Sequence, residues 1–143
     1  MILFRKEILE IKSEILYANR VYVPMPVDSS VAKAVHFPTR VAPSESTRKL
    51  FTAVHALLAS HLGQLDPCIT AIVFAIFASW LSPVLPTAPI LSIFAPAGSP
   101  KKLVLRLLNM LCRHPLCLIG LRRSDLLRVP ISLQPTLLLD EPD

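Results

Sequence analysis

A chain of 143 residues with 52% hydrophobic side chains is long enough for one core and excludes two ordinary domains. Three cysteines, an odd number, exclude a disulfide framework and point to a reducing, cytoplasmic setting. The net charge of +5 is concentrated in residues 101–128, where Lys101, Lys102, Arg106, Arg113, Arg122, Arg123 and Arg128 oppose a single Asp125. A basic stretch of that kind attracts phosphate, whether on a nucleotide, on nucleic acid without sequence preference, or on lipid headgroups.

Fourteen prolines against three glycines predict short elements joined by stiff connections. The N-terminus, MILFRKEILEIKSE, is charged from Arg5 onward and lacks the apolar core of a secretory signal. Ile8, Leu9, Ile11, Ile15 and Leu16 fall at helical spacing, whereas NRVYVPMPV reads as extended. Residues 24–46, with Pro24, Pro26, Pro38 and Pro43, read as a connector. Residues 1–45 are therefore expected to form an irregular or extended lead segment, and 46–143 the folded body.

The body opens with a helix within SESTRKLFTAVHALLASHLG (44–63): Ser46 or Thr47 caps it, Leu50, Val54, Leu57, Leu58 and Leu62 line one face, and Gly63 ends it. His55 and His61 lie too far apart for a shared metal-binding face. A second helix begins at Asp66-Pro67 and is apolar nearly all round, which predicts burial on several sides with Trp80 in the core. No charged side chain occurs between Asp66 and Lys101. Prolines 83, 86 and 89 interrupt this run before it reaches the roughly 20 apolar residues that a membrane span needs. Membrane association of residues 68–95 is the alternative reading of the run.

From residue 90 the pattern alternates. ILSIFA (90–95), LCLIG (116–120) and PTLLLDE (135–141) read as buried strands, and residues 101–114 and 123–129 as helices. Strands alternating with helices predict an α/β fold with a parallel sheet. CRHPLC (112–117) lacks metal-knuckle spacing, so Cys112 and Cys117 read as buried apolar residues.

Residues 95–102, APAGSPKK, follow the layout of a phosphate-binding loop, G-x-x-x-x-G-K-[ST], between a strand and a helix. In that chemistry backbone amides and a helix N-terminus point at phosphates while a lysine reaches the outer ones. Gly98, Ser99, Lys101 and Lys102 are the candidate nucleotide-binding residues. LLLDE supplies Asp140 as the Mg²⁺ ligand and Glu141 as the residue that orients water. As an ordered set, residues 79–143 resemble the front half of the P-loop ATPase domain of phage- and plasmid-type helicase- or primase-like proteins. The resemblance implies a partial P-loop NTPase-like parallel sheet preceded by helices, with ATP and Mg²⁺ as cofactors. It also implies a homo-oligomer or a missing downstream half as partner. The departures are Ala95 for the first glycine, Pro100 for the second and Lys102 for the Mg²⁺-binding hydroxyl. They leave weak nucleotide or phosphate binding as the expected function, without hydrolysis.

Overall fold

The computed structural model describes residues 2–5, 8–24, 26, 28–37, 42, 46–63, 66–94, 96, 98–120 and 129–140. Helix α2 (Thr47–Leu62) forms as its sequence predicts. The Ser46 side chain accepts from the Lys49 amide at 3.2 Å, and the Gly63 N–H closes the last turn on Ala59 O. Gly63 takes φ 78°, a left-handed value that a Cβ would strain. The buried stripe differs from the predicted one: Leu58 is fully buried and Phe51, Val54 and Leu62 pack beside it, while Leu50 and Leu57 are exposed.

Helix α3 (Asp66–Leu81) lies against α2 and continues into a 3-10 turn, Ser82–Val84. Ile69, Ile72, Val73 and Ile76 face inward at a 3-1-3 spacing and meet Val104, Leu107 and Leu108 of α4 (Lys101–Leu111) together with Leu138. Phe51 centres an aromatic group, with ring centroids 5.3 Å from Phe74 and 5.8 Å from Phe77. Two expectations for α3 fail here. The helix is buried on one side only, and Trp80 stands half-exposed with its indole N–H donating to Leu111 O at 2.9 Å. The core is too small to wrap a helix: two helices and one strand cover only the inner face of α3.

Strands β5 (Pro115–Ile119) and β6 (Thr136–Asp140) pair in parallel, with Ile119 opposite Asp140. A parallel sheet was expected, but the resemblance implies 135–140 beside 90–95, and that pairing does not form: β6 pairs with β5 instead. The third expected strand is absent: residues 90–94 adopt no strand, and Ile90 and Phe94 are more than 90% exposed. An apolar run becomes a strand only where a neighbour completes its backbone hydrogen bonds, and no strand among the described residues pairs with 90–94. The result is a mixture of helices and small sheets: four α-helices and three two-stranded sheets among the described residues.

The N-terminal region also corrects its reading. Instead of a helix before residue 18 it contains two antiparallel hairpins, β1 (Ile2–Arg5) with β2 (Ile8–Ile11) and β3 (Ile15–Tyr17) with β4 (Arg20–Tyr22). Ala18 and Asn19 both take positive φ, 48° and 59°, which matches a two-residue turn to the twist of its strands. Within the expected connector, Ser29–Ala34 forms a short helix, α1. The residues just after it tie this region to the body: Phe37 lies 5.2 Å from the His114 ring.

Candidate functional site

The candidate phosphate-binding residues occupy the turn into α4. Ser99 N–H bonds to Pro96 O at 3.1 Å, and Lys101 N–H bonds to Ser99 O at 2.8 Å. Gly98 makes the turn at φ 84°. Pro100 is the N-cap residue, has no N–H, and accepts from Leu103 and Val104 through its carbonyl. Of the amides from Ser99 to Lys101, two are therefore engaged inside the turn and one does not exist. A phosphate cradle needs those amides pointing outward. The loop has the spacing of a cradle without its donors.

The side chains are placed differently from the amides. Lys101 is partly buried and Lys102 exposed, both in the first turn of α4, which contains no acidic residue. That end of a helix carries the positive pole of the dipole, so two ammonium groups there raise the local demand for an anion. Helix α4 ends at Cys112, and only Arg113 and His114 precede β5, so the helix must run back along the strand it feeds. Cys117 Sγ contacts Asn109 Oδ1 at 3.4 Å, which fixes this antiparallel alignment. The N-terminus of α4 thus points toward the same end of the molecule as the C-terminal ends of β5 and β6.

Asp140 closes β6 at that end, partly buried, with its carbonyl accepting from Gly120 N–H at 3.1 Å. Its charge reaches Cys117, which lies on the same sheet face: burial pushes the Cys117 thiol up, and the Asp140 carboxylate adds to the rise. Cys117 is exposed, against its sequence reading, whereas Cys112 is buried as expected. Burial likewise raises the Cys112 thiol, opposed by a hydrogen bond from Ser79. Glu141, Arg122, Arg123 and Arg128, and residues 123–128 of the helix expected over 123–129, lie outside the described residues. So does Ala95.

Arg113 belongs to a different assembly. Its guanidinium donates to Leu133 O and Gln134 O at 3.5 and 3.2 Å, and Thr136 Oγ1 donates back to Arg113 O at 2.7 Å. His114, at φ 44°, has Nδ1 2.9 Å from Leu133 O. These groups hold the 131–134 turn against the start of β5 and direct no charge outward. Among the histidines of α2, His55 Nε2 lies 3.3 Å from Thr70 Oγ1 and His61 Nδ1 lies 2.8 Å from Leu57 O.

The described residues do not fit Mg²⁺. A single carboxylate, Asp140, stands at this end with an ammonium, Lys102, in the place of the needed hydroxyl. No group of three or more His, Cys, Asp or Glu side chains among the described residues could hold a metal. Among the described residues the arrangement can place two lysine charges and a helix dipole on a phosphate. Sequence reasoning did not anticipate Ser79, buried between Ile76 O at 2.6 Å and the Arg113 N–H at 3.0 Å. A lone serine in an apolar run gave no signal of that role.

No family model matches this chain, and neither do any curated proteins or solved structures.

Proposed function

We propose that the chain is a non-hydrolysing derivative of a P-loop ATPase-like domain of helicase or primase type, and that it keeps a weak phosphate contact at the N-terminus of α4. The observation that supports this is topological. Parallel β5 and β6, with α4 running back along them, bring Lys101 and Lys102 toward the end where β6 presents Asp140. A ligand held there is bound by side-chain charge and not by an amide cradle, so its affinity is low and salt-sensitive. Triphosphates are favoured over monophosphates because charge alone sets the interaction.

Titration of the full chain with ATP at low ionic strength tests this. Lys101→Ala is expected to weaken binding about two- to fivefold, the worth of one solvent-screened charge contact. Pro100→Gly restores one amide and is expected to strengthen binding, whereas Lys102→Thr removes one of the two charges and is expected to weaken it. Equal ATP affinity in wild type and Lys101→Ala would remove the site. Phosphate release above the buffer level with Mg²⁺ present would overturn the non-hydrolytic assignment.

A further inference from the structure

We infer that two copies of this chain exchange residues 90–94, each adding the segment as a third strand to the open edge of β6 in its partner. Among the described residues no third strand pairs with either edge of the β5–β6 sheet. Thr136 N–H donates to His114 O and Gly120 N–H donates to Asp140 O, so the even-numbered residues of both strands face each other across the pair. Peptide groups alternate in direction along a strand, which turns the N–H and C=O of Leu137 and Leu139 to the outer edge of β6. The outer edge of β5 falls at Pro115, Cys117 and Ile119, and its first position has no N–H to offer. Edges are blunted by proline and by charge, and the outward positions of β6 carry neither. Of the two edges, β6 is the one equipped to accept a strand.

The chain itself supplies the occupant. ILSIF (90–94) is uncharged, rich in strand-forming residues, and adopts neither helix nor strand. Ile90 and Phe94 stand out in solvent while Leu91 is 40% exposed and Ile93 38%, an alternation with the period of a strand. Pro89 before the run, and Pro96 and Pro100 after it, stiffen both connections, and the run is unpaired with its own β6. An element held on short, stiff connections is one that copies exchange.

Each copy thus holds an edge without a strand and a strand without an edge. Exchange in both directions satisfies the two at once and closes on a two-fold axis, so assembly stops at a dimer. The side chains agree. Leu137 and Leu139 are exposed on the sheet face opposite buried Leu138, and an added strand places apolar neighbours beside them. Main-chain hydrogen bonds hold such a strand, and its alternate side chains select it. The contact uses neither Lys101 nor Lys102, so it and the phosphate site fail independently.

Sedimentation velocity of the full chain over a range of concentrations tests this, with a reversible dimer expected. Phe94→Lys charges a side chain that is exposed in the single copy and covered in the pair, and should weaken the dimer about tenfold or more. Leu139→Pro deletes an outward N–H without touching the β5 ladder, and should weaken it about three- to tenfold. Circular dichroism matching wild type checks that both variants fold. Cross-linking then identifies the partners. With Cys68→Ser and Cys117→Ser in every chain, one chain carries Ser92→Cys and another Leu137→Cys. A short bismaleimide should join the two different chains in preference to either with itself. Equal yields of like and unlike pairs would overturn the proposal. So would a wild-type monomer at every concentration, or a dimer that Phe94→Lys leaves unchanged.

Discussion

Helices α2 and α3 are each 16 residues long and pack on each other, yet they treat water in opposite ways. Helix α2 turns Leu58, Phe51 and Val54 inward and shows Arg48, Lys49, Thr52 and Ser60 among its exposed residues. Helix α3 buries a stripe of isoleucine and valine and shows solvent another stripe that is as apolar as the first. The fold needs only one face of each. What α2 spends on solubility α3 does not, and the difference lies on a surface outside the core, where only Phe74 reaches back to pack on Phe51. An apolar composition therefore does not establish burial; it establishes that something apolar must be nearby, inside the molecule or beyond it.

The comparison can be broken most forcefully on the inner faces. Leu58→Ala removes a fully buried side chain from α2, and an equilibrium unfolding titration should show a loss of about 3 kcal/mol. A much smaller loss would mean that the helix pair is not the core. The caps distinguish the helices next. Ser46→Ala deletes the hydrogen bond to the Lys49 amide and is expected to cost about 1 kcal/mol in the same titration. The smallest effect should come from the outer face of α3. Leu81→Gln is expected to shift stability by less than about 0.5 kcal/mol, despite removing a large apolar group. A loss like that of Leu58→Ala would show that the outer stripe is buried after all.

The legible parts of the sequence were those with local, self-contained signals. Ser46 and Gly63 bounded α2 because a cap needs only its own helix, and α4 followed from leucines at 103, 107, 108 and 111. Strands β5 and β6 were legible because each is an apolar run that finds its partner in the other. Residues 90–94 have the same composition and remain unpaired, because pairing depends on a neighbour that no local pattern reports. The β3–β4 turn did leave a trace: Asn19 sits between ILY and RVY, and hydrophobic spacing in ILEIKSEIL drew attention away from it. At the candidate site, the lysine, the aspartate and the departures at 100 and 102 were visible as residue types. That the Ser99 and Lys101 amides close onto the loop itself was not, since main-chain direction in a turn is invisible to composition.

The two helices can be set directly against each other with a spin label on each outer face. Cys68→Ser and Cys117→Ser remove the exposed thiols, leaving buried Cys112, and a single cysteine is then placed at Ala53 in α2 or at Ala71 in α3. In solution the label at 71 should be as open to a water-soluble nickel complex as the label at 53, although one face is apolar and the other polar. Nickel access at 71 far below that at 53 would contradict the exposure of the outer face of α3.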